Sequence, residues 1–250
     1  MINNVVADAV HISIKAEPVF NVGGVNITNS VLMIGVGLVV LLVWLGTAVH
    51  KVKRGDNLMR MGFFSRLAVW CFSGLYKTCK EGIPDKRVCR FIAPIAITMF
   101  FYIGIQYYVE LLPIVGEAIM YNDTAMLRGP VADLNFTFAL AIVAIIAIQI
   151  AATIIHGFRG NIGRYLRNPL KDPIGFFEGL LEIVAEFSRL ISLSMRLFGN
   201  VLAGEVLIVI VSWLAGYVSP AVLPFIYIFE MFIGGIQAYV FFSLTVVFAG

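Results

Sequence analysis

Ser30–Val49 is a run of 20 residues without a charge. About 20 apolar residues in a helix cross roughly 30 Å of hydrocarbon. In lipid the backbone must satisfy its own hydrogen bonds, so such a run can only be helical. Phe91–Pro113, charged only at Glu110 near its end, and Leu134–His156 are apolar stretches of similar length, and 24 uncharged residues follow Glu205. Only 13% of the chain is charged, against about 25% in soluble domains. The reading is an all-α polytopic membrane protein. It has three roughly vertical spans, an inner-face amphipathic helix and a C-terminal hairpin of two long tilted membrane helices.

Charge placement orients it. Ten of the 18 basic residues fall between Lys51 and Arg90, and four more (Arg159, Arg164, Arg167, Lys171) follow the third span. The segment between holds Glu110, Glu117, Asp123 and Asp133 against Arg128 alone. By the positive-inside rule the two basic segments face the cytoplasm or the matrix, which puts the N-terminus outside. Cys71, Cys79 and Cys89 match no metal or redox spacing and read as reduced thiols. No signal or transit peptide is expected.

Residues 1–29 read as an outer-face segment and 30–250 as one membrane domain, with spans at about 30–49, 91–113 and 134–156. Between Met61 and Lys80, Phe63, Phe64, Leu67, Trp70, Cys71 and Leu75 recur at helical spacing, the pattern of a helix lying on the inner interface. Asp133-Leu-Asn135 reads as the capped start of the third span. No proline lies between Pro173 and Pro220. A helix of about 42 residues would be roughly 63 Å long, twice a bilayer core. Such a helix either breaks near Gly199-Asn200 or lies tilted. A break would leave Glu182, Glu186 and Arg189 inside one vertical span, so the tilt is the better reading. The hairpin is placed at about 174–216 and 221–249, around a turn at Gly216–Pro220.

Arg196 lies within this apolar stretch. An arginine at a helix centre costs roughly 2.5–3.5 kcal/mol on insertion, and ionisable residues so placed usually serve function. At about 100° per residue, Ser192, Asn200 and Glu182 lie within about 40° of Arg196, Arg189 within about 20°, and Glu186 at about 80°. Glu205 falls about 180° away and cannot be its simple partner. Folded as an antiparallel hairpin, Glu205 meets the depth of Glu230, and Arg196 that of Gln237. Two acids at one depth in lipid are expected to share a proton or meet water. Other readings stand beside this one. Arg189 could pair with Glu186 or Glu182, and Asn200 with Gln237 could simply join two helices.

Met195-Arg-Leu-Phe-Gly-Asn200 with Ala203-Gly-Glu205, and Ile236-Gln-Ala-Tyr-Val-Phe241, resemble the signature of subunit a of F-type ATP synthases. Pro130–Asn135 resembles that family's opening of a membrane helix. The resemblance implies a stator wall facing a rotating ring of c subunits. It also implies contact with peripheral-stalk b subunits and other subunits of the synthase. Arg196 matches the essential arginine that separates two offset half-channels, and Gln237 its partner on the last helix. Asn200, Glu205 and Glu230 match the outer half-channel, and Glu182 with Ser192 the inner one. The implied location is a bacterial plasma membrane or mitochondrial inner membrane, with a proton as the expected ion. The resemblance implies no cofactor, no nucleic acid and no catalysis by the subunit itself. It also places the choice between H⁺ and Na⁺ on the ring. A carboxylate on the ring would be held ionised by a cation that cannot lose its charge in a low-dielectric gap.

The alternative is a secondary transporter or ion channel with a polar intramembrane hairpin. That class favours internal repeats or matched broken helices, which the sequence lacks. An intramembrane enzyme would need a nucleophile–base pair or metal cluster in the hairpin. His11, His50 and His156 all lie outside it.

Overall fold

A computed structural model describes residues 18–22, 25–54, 62–111, 120–121, 124–125, 129–165 and 173–249. Residues 1–17, and with them most of the outer segment read from the sequence, lie outside the described residues. So do Arg167 and Lys171 of the second basic segment. The described chain is nearly all helix, and several of its helices are long and apolar enough to cross a membrane. Two short antiparallel hairpins were not anticipated: β1 (Pro18–Val22) with β2 (Val25–Thr28), and β3 (Met120–Tyr121) with β4 (Thr124–Ala125). Val22 pairs with Val25, so Gly23-Gly24 falls between the strands, a common two-residue hairpin signal.

Helix α1 (Asn29–Lys53) ends in His50, Lys51 and Lys53, cations that suit a helix C-terminus. Helix α2 (Phe63–Gly82) turns Ser65, Ala68, Leu75 and Cys79 inward and leaves Phe63, Phe64 and Trp70 exposed. It is tied to α1 by Lys51 Nζ donating to Ser65 Oγ at 3.2 Å, and by Trp44 Nε1 donating to the Phe64 carbonyl at 3.2 Å. Asp85 then caps α3 (Lys86–Glu110) by accepting from the Arg87 N–H at 2.8 Å. In α3, 61% of the most apolar window is buried, against 22% in α1, so α3 is the central helix and α1 a peripheral one. Phe242 and Val246 of the last helix join the Ile92–Ile105 face of α3 in one apolar core.

The buried 3₁₀ turn Pro130–Ala132 leads into α4 (Leu134–Tyr165). The expected cap is Asp133, whose carboxylate accepts from the Asn135 N–H at 3.0 Å. Within α4, Gly157 has φ 71° and ψ 161°, a conformation essentially reserved for glycine, and the chain changes direction there.

Helix α5 (Pro173–Ala215) runs 43 residues. It passes unbroken through Gly199-Asn200, so the two-helix alternative is excluded. A Gly-Asn pair is a turn signal only where the chain has a reason to leave the helix. Here Leu197 and Val201 on either side are buried, and their packing holds the helical path. A 3₁₀ turn at Gly216–Val218, with Gly216 at φ 49°, reverses the chain into α6 (Ser219–Ala249). Its position matches the turn expected at Gly216–Pro220.

Candidate functional site

The faces of α5 decide what each polar side chain can meet. Leu193, Ser194, Leu197 and Val201 point into the bundle, where Ser194 Oγ lies 3.1 Å from Thr137 Oγ1 of α4. Arg196 sits beside that buried face and is exposed. It makes no hydrogen bond or ion pair with any described residue. It lines a groove of about 380 Å³ with Ser188, Arg189, Ser192, Thr245 and Phe248. Ser188, Ser192, Met195, Gly199 and Ala203 are exposed on the same side of the helix. Arg196 thus stands in a stripe of mostly small side chains.

One helical turn along from Arg196, Asn200 Nδ2 donates to Gln237 Oε1 of α6 at 2.8 Å. Gln237 is therefore engaged by Asn200 rather than by Arg196. Its amide nitrogen is buried without a hydrogen-bond partner among the described residues. A buried donor left unpaired costs about 1–3 kcal/mol.

Further toward the turn lies the acidic pair read from the sequence. Glu230 is 3% exposed, and Tyr107 Oη of α3 donates to its Oε2 at 2.8 Å. Gly204 and Gly234 make the room. A methyl group at Gly204 would occupy the Glu230 carboxyl, and one at Gly234 would occupy the Tyr107 ring. Glu205, next to Gly204, is half-buried. Glu110, given no role in the sequence reading, packs its carboxyl onto Gly129. Tyr107 was missed because a tyrosine near a span end reads as an interfacial anchor. The only hint was its place three residues before Glu110.

Toward the N-terminus of α5, the alternative reading of Arg189 paired with Glu186 or Glu182 finds no such ion pair among the described residues. The Arg189 guanidinium lies over the Phe248 ring, 3.9 Å from its centroid, as a cation–π contact. The Glu186 carboxylate instead accepts from Gln149 Nε2 and Tyr165 Oη, both from α4. Glu182 is half-buried and Ser192 is exposed in the groove. The structure therefore divides the sequence candidates. Asn200, Gln237 and Glu230 are engaged on the inside of the bundle. Arg196 and Ser192 stand on its open side.

Long apolar helices carrying a line of polar groups along the last hairpin define a polytopic membrane protein with an intramembrane polar site. The family model described as ATP synthase A chain matches residues 30–250, and the chain belongs to that family. It is 30% identical over 172 residues to the ATP synthase subunit a of Mycobacterium leprae (strain TN), covering 69% of this chain and 66% of that protein. It is 29% identical over 225 residues to the ATP synthase subunit a of Shewanella halifaxensis (strain HAW-EB4), covering 87% and 79%. Against the subunit of Enterococcus faecalis (strain ATCC 700802 / V583) it is 29% identical over 186 residues, covering 72% and 74%. The match spans just under two thirds of the length of the mycobacterial relatives.

Proposed function

We propose that this chain is the ion-translocating stator subunit of an F-type ATP synthase, with a proton as the ion. It is non-catalytic by itself. It faces a ring of c subunits through the α5–α6 hairpin and is held by peripheral-stalk b subunits. It sits in a bacterial plasma membrane or mitochondrial inner membrane, with its N-terminus on the proton-rich side. Its length, about 65 Å at 1.5 Å per residue, lets α5 follow the ring at a tilt.

The observation that carries this reading is the state of Arg196. A guanidinium in an apolar helix should find a carboxylate of its own chain. Arg196 has none among the described residues, is exposed, and stands in a stripe of small side chains that lets another surface come close. A fixed cation so placed serves a carboxylate on a partner. It favours the ionised form of that acid and blocks direct ion passage between the two half-channels. Gln237, locked by Asn200 through its oxygen, keeps both amide N–H groups unused among the described residues. Asn200, Glu205 and Glu230 form the outer half-channel, and Glu182 and Ser192 the inner one.

The test is Arg196→Ala and Arg196→Gln in membranes bearing the complete synthase. ATP-driven proton pumping should be lost in both while the complex still assembles. Full coupled pumping in either variant would refute the assignment.

A further inference from the structure

We propose that Glu186, gripped by Gln149 and Tyr165, is the proton-collecting carboxylate at the inner mouth of the path to Arg196. The inference rests on the stator reading and deepens it.

The cluster is built by the bend in α4. In a straight helix Gln149 and Tyr165 would lie about 24 Å apart. The reversal at Gly157 brings them together, with Gln149 Nε2 donating to Tyr165 Oη at 3.0 Å. Asn161, on the returning arm, donates to Thr153 Oγ1 at 3.1 Å and to Gln149 Oε1 at 3.3 Å. Four polar side chains, Gln149, Thr153, Asn161 and Tyr165, thus gather around one carboxylate in an otherwise apolar helix pair. A merely structural cluster would close on itself, and this one does not. Asn161 is only 9% exposed, yet its Oδ1 has no hydrogen-bond partner among the described residues. An unused buried acceptor beside a carboxylate is what a water or hydronium donor needs.

Position agrees with chemistry. Ala185, Ser188, Arg189, Ser192 and Arg196 line one groove, and Glu186 lies next to its first residue. The Glu186 carboxylate takes a proton from water on the basic, inner side, becomes the carboxylic acid, and releases the proton along the serine-lined groove. Gln149 and Tyr165 are positioning residues that hold the carboxylate there. The charged and titratable groups near Glu186 are Glu182 and Arg189 on α5 and Tyr165 on α4. The sequence places His156 just before the bend in α4 and Arg159 and Arg164 on the arm that carries Tyr165, and the last ten residues of α6 carry no titratable side chain.

The experiment uses inverted membrane vesicles with the complete synthase, whose inner face meets the buffer. ATP-driven pumping is measured across buffer pH for Glu186→Gln and Tyr165→Phe, each divided by wild type at the same pH. That ratio cancels the pH dependence of the catalytic sector. For Glu186→Gln it should fall on the order of 100-fold at alkaline pH, where protons are scarce, and recover toward acid pH. Tyr165→Phe should bend the same way, more weakly, and serves as the deciding variant if Glu186→Gln does not assemble. A ratio near one throughout, or a reduced but flat one, overturns the proposal. Arg196→Ala in the same vesicles tests the stator reading by itself. Pumping lost there but normal in Glu186→Gln would remove only the Glu186 assignment.

Discussion

At the scale of single residues, the site is a set of charges and amides whose partners decide their use. Tyr107 donates a hydrogen bond to the buried Glu230 carboxyl. Tyr107→Phe removes that donor and leaves the buried acid without it. The expected loss is about 1–3 kcal/mol, read as a lower midpoint in thermal unfolding of the detergent-solubilised protein. Asn200→Ala should cost less, about 0.6 and at most 1.7 kcal/mol, the range of hydrogen bonds between membrane helices. The sequence exposed Arg196, Glu205, Glu230 and Gln237, because a charge or amide in an apolar run stands out against its neighbours. It hid Tyr107, Tyr165 and Phe248, because aromatic residues are ordinary in membrane helices and only contact reveals what they hold. It also paired Gln237 with the depth of Arg196, where the hydrogen bond goes to Asn200 one turn away. Counting residues from a turn fixes depth only to about one turn.

At the scale of elements, the helices were legible and their bends were not. Proline-free length announced α5, and the motif Gly199-Asn200 was overruled by the buried Leu197 and Val201. The bend in α4 had no such signal. Gly157 sits where apolar residues give way to basic ones, and periodicity cannot say which way a chain leaves a helix. Gly157→Ala should be strained by about 1–3 kcal/mol and should part Tyr165 from Glu186. The check is lower thermal stability together with the pH-dependent pumping defect of Tyr165→Phe. Helix α2 offers another test. Burial, then the neighbouring Cys89, pushes the Cys79 thiol from 9.0 up to about 11. A raised thiol pKa means the folded state keeps a proton that the unfolded chain gives up. The associated stability is complete below pH 9 and is lost as pH rises through about 11. Native protein treated with a maleimide at neutral pH should label at the half-exposed Cys71 and spare Cys79, as read by mass spectrometry.

At the scale of the whole molecule, the core and the open side divide the labour. Helix α3 sits at the centre against α6, and the stripe through Ser192, Arg196, Gly199 and Ala203 is left uncovered. A Cβ at Gly199 would meet nothing within 4 Å in this chain. Gly199→Leu should therefore leave the folding and thermal stability of the isolated subunit unchanged. On the proposed stator reading it should nonetheless abolish ATP-driven pumping, because the bulk falls on the face assigned to the ring. Normal pumping in that variant would show that nothing approaches this face closely. Helix α5 is one uninterrupted rod from Glu186 to Glu205, two carboxylates about 28 Å apart at 1.5 Å per residue. On the proposed stator reading, with Glu186 and Glu205 at the two mouths, a sideways push from a rotor would move both together, because a single beam carries them. The interval between taking up an ion and letting it go would then be set by a length, not by a clock.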